Sequence, residues 1–186
     1  MDIQIDVTNI KIETPRLLLR SWQESDLNDL FAYASVDGVG EMAGWKHHES
    51  ITETKNILHS FISDKNVFAL ELKATKKVIG SLGLHYSWAN NEKDFAALRI
   101  KELGYVLSKA YWGQGLMPEA VNAVIDYCFN ALCLDALTVG HFVGNAQSQR
   151  VIEKSGFMYV TQGTYHAKGL NKTFAENKYI LYNAKV

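Results

Sequence analysis

The chain has 186 residues, 47% of them hydrophobic, and this length and composition predict one globular domain over residues 1–186 with a buried core. Its formal net charge of −1 at pH 7 does not favour a nucleic-acid partner, which would require a basic surface. No apolar run approaches the ~20 residues that cross a bilayer, and the first residues, MDIQIDVTNIK, lack the features of a signal peptide, so we expect a cytoplasmic protein with no membrane partner.

The first half of the chain predicts a strand, two helices and a strand pair. Ser25 is a residue type that caps helices, and apolar residues recur at helical spacing after it. Ser50 and Glu53 have the spacing of a capping box, which predicts the start of a second helix. The predicted elements are a strand at 12–22, a helix from Ser25 to Val36, a helix from Ser50, strands at 66–72 and 77–86, and an exposed loop at 88–98.

The second half of the chain mixes strands and helices before a final strand pair. The predicted elements are a strand at 99–107, a helix from about Leu116 to Leu132, a strand at 136–143, a helix at 146–155, and strands at 157–165 and 173–182 around Gly169. Such an order predicts a mixed sheet flanked by helices. Cys128 and Cys133 fall in or near one helix and indicate reduced thiols rather than a disulfide framework. No Cys or His lies at ligand spacing from them, so we expect no metal.

A glycine turn joins the strand at 99–107 to the helix that follows it. Gly113 and Gly115 allow the backbone to approach a ligand closely, and the first amides of a helix that begins near Leu116 have no carbonyl partner within it. Pro118 fits a first turn because its missing amide is not needed there. This arrangement predicts a phosphate site, although a Gly-x-Gly segment by itself is more often only a turn. No Gly-Lys-Ser/Thr ends the loop, and Pro118 stands where a third glycine would be, which excludes the P-loop and dinucleotide patterns.

Four segments of the sequence carry recognisable motifs. They are TPRLLLR at 14–20, GWKHHES at 44–50, WGQGLMPEA at 112–120 and NAQSQRVIEKSGF at 145–157. In combination they resemble the GNAT superfamily of acetyl-CoA-dependent N-acetyltransferases over about residues 12–183, and they are most similar to the RimJ/RimL-like branch, which acetylates ribosomal-protein N-termini. The resemblance implies an α/β (α+β) fold with a mixed, mostly antiparallel central sheet of about seven strands, splayed at its centre, flanked by about four helices.

The resemblance further implies that acetyl-CoA is the co-substrate and that backbone amides hold its pyrophosphate. The expected cofactor-binding residues of the loop are Trp112, Gly113, Gln114, Gly115, Leu116 and Met117. Trp112 and Met117 depart from the family pattern, Gln/Arg-x-x-Gly-x-Gly/Ala, which affects contacts by side chains but not by amides. A backbone amide at Val106 or Leu107 would bind the thioester carbonyl. Asn145 would cap the next helix and contact the pantetheine, and Arg150 would either meet the phosphates or be solvated.

Acyl transfer to an amine requires a base for the ammonium proton and a donor for the leaving thiolate. Glu102 lies near the point where related enzymes carry a catalytic carboxylate, which makes it the predicted base. His85 and His141 are the alternatives, because an imidazole titrates near neutral pH. Many relatives use a tyrosine as the acid, but Ile152 occupies that position here. The RimJ/RimL-like branch has a serine three residues after the Asn, so Ser148 is the predicted catalytic partner of the sulfur.

The resemblance also indicates an acceptor cleft across the sheet, between the first two helices and the final strand pair. The expected substrate-binding residues are Trp45, His48, Glu49, Tyr86, Trp88 and Tyr165. The acceptor is predicted to be a primary amine, either a protein N-terminus or a small molecule such as an amino acid, a polyamine or an antibiotic. A non-catalytic acyl-CoA-binding or sensing module on the same fold is the alternative. The oligomeric state, with a homodimer among the alternatives, is left open.

Overall fold

The computed structural model describes residues 2–185, which contain one eight-stranded sheet and four α-helices. The strands are β1 (Ile12–Glu13), β2 (Leu17–Arg20), β3 (Val67–Leu72), β4 (Lys77–His85), β5 (Ile100–Leu107), β6 (Ala136–Phe142), β7 (Met158–Ala167) and β8 (Lys172–Tyr182). The α-helices are α1 (Leu27–Ala34), α2 (Ile51–Asp64), α3 (Leu116–Asn130) and α4 (Ala146–Lys154).

The strand order across the sheet is β1-β2-β3-β4-β5-β6-β8-β7. Every neighbouring pair is antiparallel except β5 and β6, which are parallel. The predicted mixed, mostly antiparallel sheet is therefore confirmed. The strand number is eight rather than about seven, because the predicted first strand is divided in two.

The division of the first strand arises from a tight turn at Pro15. Thr14 N donates to Leu17 O at 3.0 Å, and Leu17 N donates to Thr14 Oγ1 at 2.9 Å. Proline has no amide to donate to a ladder and favours turn positions. The chain therefore reverses, and β1 pairs with β2 as a hairpin where the sequence predicted a continuous strand at 12–22.

The two central strands separate along half of their length. Ladder contacts between β5 and β6 extend only from Ile100 to Leu103 on one strand and from Ala136 to Val139 on the other. Beyond Leu103, β5 stays paired with β4, and beyond Val139, β6 stays paired with β8. The outer partners thus hold the two strands apart, which confirms the predicted splay. We call the gap between 104–107 and 140–142 the wedge.

The two faces of the sheet bury separate sets of apolar side chains. Leu103 of β5 packs in a cluster with Leu116 of α3 and Ile152 of α4. Val106 packs instead against a cluster that contains Leu30 of α1 and Leu58 of α2. Because side chains alternate along a strand, Glu102, Gly104 and Val106 face α1 and α2, whereas Leu103, Tyr105 and Leu107 face α3 and α4.

Two predicted boundaries in the first half need correction. Ser25 is not a helix cap, because Glu24–Asp26 form a 3-10 turn and α1 begins at Leu27. Arg20 fixes that turn by binding Asp26, with Nη1 2.8 Å from Oδ2. The capping box at Ser50 is confirmed, since Glu53 N donates to Ser50 Oγ at 3.1 Å.

The predicted exposed loop at 88–98 is partly buried. It forms two 3-10 turns, Trp88–Asn91 and Lys93–Phe95. Ala89 is fully buried, and the rings of Trp88 and Phe95 meet edge to face with centroids 5.9 Å apart. The apolar residues among the polar ones thus fold this segment onto the sheet. Within residues 2–185, no helix is long and apolar enough to cross a membrane.

Candidate active site

The wedge opens into a cavity of about 1050 Å³ that reaches both faces of the sheet. Most predicted site residues line it: Trp45, His48, Tyr86, Glu102, Val106, Leu107, Trp112, Gly113, Gly115, Leu116, Met117, Asn145, Ser148 and Arg150. The alternative bases His85 and His141, and Tyr165, line it as well. Gln114, Trp88 and Glu49 do not, and Glu49 instead pairs with Lys46 on the surface. Gln114 faces outward, and the ring of Trp88 packs on Phe95.

The glycine loop presents a row of unpaired amides at the start of α3. Gly113 and Gly115 both have φ of +75°, and Gly115 is the helix N-cap. Between residues 2 and 185, the amides of 113–117 have no protein hydrogen-bond acceptor. A Cβ at Gly113 would meet no atom within 4 Å, so open space lies above the loop. Unpaired amides, a helix N-terminus and free space are what a phosphate group requires.

Two side chains brace this loop. Arg16 Nη1 donates to Gln114 O at 2.9 Å, and Arg16 Nη2 lies 2.7 Å from Glu119 Oε2 on α3. Trp112 Nε1 donates to Leu107 O at 2.7 Å, and its ring packs against both apolar clusters. Trp112 therefore links the loop to β5, which gives a structural reason for an indole where the family pattern has Gln or Arg.

The backbone amides of Val106 and Leu107, the two candidate donors to the thioester carbonyl, point to opposite sides of β5. Ser108 N donates to Ile79 O at 2.8 Å, so its amide points toward β4. Backbone amides of a strand point to opposite sides in turn. The amide of Val106 therefore also points toward β4, whereas that of Leu107 points into the wedge, where β6 no longer pairs with β5. This geometry favours Leu107 over Val106.

Glu102 lies at the closed end of the wedge, on the α1/α2 face. Its Oε2 accepts hydrogen bonds from Trp88 N at 3.1 Å and from Thr138 Oγ1 at 3.2 Å. Burial raises the pKa of this carboxyl to about 7, and the nearby Glu176 adds to the rise, although both hydrogen bonds and Lys178 oppose it. A carboxyl with a pKa near 7 can accept a proton and release it at neutral pH.

His85 is opposite Glu102 in the β4–β5 register. Its ring covers Gly83 and Gly104, since a Cβ at Gly83 would lie 2.3 Å from His85 Nε2. The ring is exposed to the cavity, but the protein around it removes part of its water. This desolvation lowers the pKa of His85, and the charge of Lys101 lowers it further. His85 is therefore mainly neutral at pH 7 and stays an alternative base.

His141 is buried and already has a partner at each ring nitrogen. Nδ1 donates to Phe142 O at 2.9 Å, and Nε2 lies 3.0 Å from Tyr179 Oη. Both ring nitrogens are therefore engaged within the protein. Among the three candidate bases, Glu102, His85 and His141, the geometry therefore disfavours His141.

Ser148 is held at the α3/α4 side of the wedge. Asn145 Oδ1 accepts from Ser148 N at 3.1 Å and so caps α4, as predicted for this residue. Ser148 Oγ lies 2.9 Å from the hydroxyl of Tyr105, which also lines the cavity. Burial raises the pKa of Tyr105 well above its ordinary value, so this hydroxyl stays protonated. Sequence reasoning missed Tyr105, whose only signal was its position on β5 facing α4.

A loop between α1 and α2 covers the acceptor side of the cavity. The ring of Trp45 lies over Gly40, where a Cβ would be 2.3 Å from it, and packs against His48 in a tilted arrangement with centroids 5.1 Å apart. Asn145 Nδ2 donates to Met42 O at 3.3 Å, which ties the loop to α4. His48 is buried with Nδ1 2.8 Å from Thr54 Oγ1, and burial lowers its pKa.

Arg150 and Glu176 are two further charged residues of the cavity lining, which also includes Lys46, Glu53 and Lys154. Arg150 is exposed on α4 and has no protein partner within residues 2–185, so its guanidinium is available to a phosphate. Glu176, on β8, is a second residue that sequence reasoning missed. Its carboxyl is partly buried beside β6, and burial raises its pKa.

Comparison with known proteins agrees with this geometry. Residues 16–158 match the family model described as an acetyltransferase (GNAT) domain. The chain is 30% identical over 151 residues to the uncharacterized N-acetyltransferase YoaA of Bacillus subtilis (strain 168), across 78% of this chain and 81% of that protein. Its fold is similar to that of a spermidine N-acetyltransferase from Vibrio cholerae in complex with CoA and spermine, with a TM-score of 0.73, 19% identity, and coverage of 92% and 98%. A ribosomal-protein-S5-alanine acetyltransferase from Vibrio fischeri is also similar, with a TM-score of 0.70, 18% identity, and coverage of 95% and 98%.

Proposed function

Since the chain belongs to the GNAT acetyltransferase family and is an N-acetyltransferase, we propose that it transfers the acetyl group of acetyl-CoA to a primary amine in the wedge. The observation that carries this proposal is the row of unpaired amides at 113–117, which opens into the same cavity as Glu102 and Ser148. The loop would bind the pyrophosphate, with Arg150 on the phosphates and Asn145 on the pantetheine.

On the α1/α2 face, Glu102 is the proposed base. An amine attacks only after its ammonium form has lost a proton. The ionised Glu102 carboxylate accepts that proton. Its Oε2 receives hydrogen bonds from Trp88 N and Thr138 Oγ1, which fix the orientation of the carboxylate. A pKa of about 7 leaves a large fraction of the carboxyl ionised at physiological pH.

On the α3/α4 face, Leu107 and Ser148 would donate hydrogen bonds to the thioester. The Leu107 amide would donate to the carbonyl oxygen as negative charge develops there. The Ser148 hydroxyl would donate to the sulfur as the C–S bond breaks, while the hydroxyl of Tyr105, 2.9 Å away, orients it. Tyr105 thus acts through Ser148 and is a positioning residue.

The acceptor is either a protein N-terminus, as the RimJ/RimL-like motifs favour, or a small-molecule amine. The similar folds include enzymes named for both classes, a ribosomal-protein acetyltransferase and a spermidine acetyltransferase. Trp45, His48, Tyr86 and Tyr165 would line the acceptor cleft in either case. A cytoplasmic location and assembly as a homodimer are part of the same proposal.

Release of free thiol from acetyl-CoA tests this function. The purified protein is mixed with acetyl-CoA and an amine panel of peptides beginning with Ala or Ser, lysine, spermidine, an aminoglycoside and benzylamine. We expect turnover above the buffer blank with at least one amine, and its loss in Glu102→Gln. Calorimetric binding of acetyl-CoA without turnover would favour a sensing module instead. No binding in the micromolar range would contradict the proposal altogether.

A further inference from the structure

Glu176 lines the cavity beside the wedge. It is paired with Phe142 in the β6–β8 register, and its Oε1 lies over Gly140, only 2.5 Å from where a Cβ would stand. Thr138, Gly140 and Phe142 alternate onto one face of β6. Glu102 accepts a hydrogen bond from Thr138 and lies on the same face, but on β5, the other strand that neighbours β6. The carboxylates of Glu102 and Glu176 therefore lie on either side of Gly140, which has no side chain to separate them.

The carboxyl of Glu176 has no hydrogen-bond or ion-pair partner in the described part of the chain. Its nearest cationic neighbour on β8, Lys178, places its Nζ 5.3 Å from the ring centre of Trp88 instead. The carboxyl is only partly buried, so the cavity can supply it with a partner, and the burial that raises its pKa disfavours its charge while it has none. Such a group in a substrate cavity indicates a cation that is supplied by a ligand.

We propose that Glu176 and Glu102 together bind the acceptor as an ammonium ion above Gly140, so that the enzyme selects amines that are cationic at neutral pH. This inference rests on the proposed function and adds the substrate class. Glu102 takes one proton from the ammonium, and the freed nitrogen lone pair forms the bond to the acetyl carbon as the C–S bond breaks. The nitrogen then loses its second proton to the Ser148 hydroxyl as that hydroxyl protonates the leaving sulfur, so the products are the amide, free CoA thiol and protonated Glu102, which releases its proton to solvent. Glu176 keeps its charge throughout and takes no proton.

The charges around the pair support this division of roles. Glu176 raises the pKa of Glu102, and Lys178 opposes the rise. Lys178 and His141 lower the pKa of Glu176, against the larger effect of burial. His85, opposite Glu102 on β4, has a lowered pKa and adds little charge near pH 7. An incoming ammonium would therefore meet two carboxylates whose mutual repulsion it relieves.

Steady-state kinetics of Glu176→Gln test the proposal. Glutamine keeps the shape of the side chain and removes its charge. With the fastest cationic amine of the panel, we expect the amine KM to rise about 10- to 100-fold, because a charged hydrogen bond is lost, with the acetyl-CoA KM within about twofold of wild type. Glu176→Asp should recover part of the loss. Glu92→Gln, an exposed glutamate outside the cavity, is the matched control and should behave as wild type.

Two further measurements make the outcome decisive. The preference of wild type for benzylamine, a cation at pH 7, over aniline, which is neutral at that pH, should fall in Glu176→Gln, because the lower nucleophilicity of aniline is the same for both proteins. The acid limb of the kcat/KM profile should move to lower pH in Glu176→Gln, since the charge that raises the pKa of Glu102 is gone. An unchanged amine KM, an equal loss for acetyl-CoA, or an unchanged preference for benzylamine over aniline would overturn the inference. Failure of wild type with every amine would instead contradict the proposed function.

Discussion

The carboxyl of Glu102 should make the protein less stable as the pH rises. Its pKa is about 7 in the folded protein, against an ordinary value of 4.5. The folded state therefore binds more protons than the unfolded chain between these values, and stability falls as pH increases through this interval. Glu102→Gln cannot ionise and should be more stable than wild type above pH 7, by about 1–3 kcal/mol. Near pH 4 the difference should vanish.

Thermal unfolding at several pH values measures this difference. A gain of 1 kcal/mol corresponds to roughly 2–4 °C in Tm for a chain of this size. The exposed Glu92→Gln variant should show no pH-dependent difference from wild type. A Tm difference for Glu102→Gln that is constant from pH 4 to pH 8 would mean that Glu102 has an ordinary pKa.

The hydroxyl pair of Ser148 and Tyr105 leads to a second prediction. Ser148→Ala should lower kcat about 100-fold, within the range for loss of a proton donor. Tyr105→Phe should lower kcat about tenfold, because the serine hydroxyl loses its orienting partner 2.9 Å away. The acetyl-CoA KM should stay within about twofold in both variants.

The double variant distinguishes positioning from independent catalysis. If Tyr105 acts only through Ser148, adding Tyr105→Phe to Ser148→Ala should cause no further loss of kcat, since coupled residues are not additive. Additive losses would mean that each hydroxyl acts on its own. Tyr182→Phe, which alters an exposed tyrosine outside the cavity, is the control for loss of a hydroxyl.

The sequence could indicate some of these side chains and not others. Ser148 follows Asn145 within one short segment, so its place in the helix could be read from spacing. Tyr105 and Glu176 reach the wedge only through contacts between elements that are far apart in the chain. Tyr105 meets Ser148 only because β5 alternates toward α4, and Glu176 reaches the wedge only because β8 pairs with β6. Single-sequence reasoning has no access to such register.

At the scale of elements, the glycine loop offers a matched pair of substitutions. Gly113 and Gly156 have φ of +75° and +81°, and a Cβ at either position would meet no atom within 4 Å. Alanine in the left-handed region costs about 1–2 kcal/mol, so both variants should lose similar stability. Only Gly113→Ala places a methyl group over the open space beside the unpaired amides.

Calorimetric titration with CoA separates a loss of CoA binding at the glycine loop from the loss of stability that both variants share. Gly113→Ala should bind CoA about tenfold or more weakly, because amide hydrogen bonds to charged phosphate oxygens are lost. Gly156→Ala, at the end of α4 and outside the cavity, should bind as wild type does. Equal affinity of the two variants would place the pyrophosphate away from this loop.

The elements that the sequence predicted well are those with strong local signals. The capping box at Ser50 and the start of α3 at Leu116, directly after the glycine turn, both appear as expected. Each wrongly predicted element has a local interaction that outweighed the signal in the sequence. The turn at Pro15 divides an apolar run, and Asp26, held by Arg20, displaces Ser25 from the start of the first helix. The segment at 88–98 folds inward because Trp88 and Phe95 outweigh its polar residues.

For the whole molecule, the main consequence of the fold is a slot that connects two faces of one sheet. Glu102 and Glu176 approach it from the α1/α2 face, and Ser148 with Tyr105 from the α3/α4 face. The splay that joins these faces arises because β5 and β6 each keep their outer partner after they part from each other. The motifs at 112–120 and 145–157 implied this splay through their family, while their local spacing alone did not.

This geometry predicts direct transfer between two substrates that are bound together. Neither cysteine lines the wedge: Cys128 is buried on α3, where burial raises its pKa to about 12, and Cys133 is exposed beyond that helix. A protonated, buried thiol is a poor nucleophile. Initial-rate plots against both substrates should therefore intersect rather than run parallel, and CoA should compete with acetyl-CoA but not with the amine.

Mass spectrometry gives the complementary test of direct transfer. Protein incubated with acetyl-CoA alone should carry no acetyl group that a later addition of amine discharges. Cys133→Ala should show the same intersecting pattern as wild type, because its thiol lies outside the cavity. Parallel initial-rate lines, or an acetylated protein that the amine converts back, would require a nucleophile in the wedge. The free approach of both substrates from opposite faces makes such an intermediate unnecessary, since the amine can reach the thioester without the first product leaving.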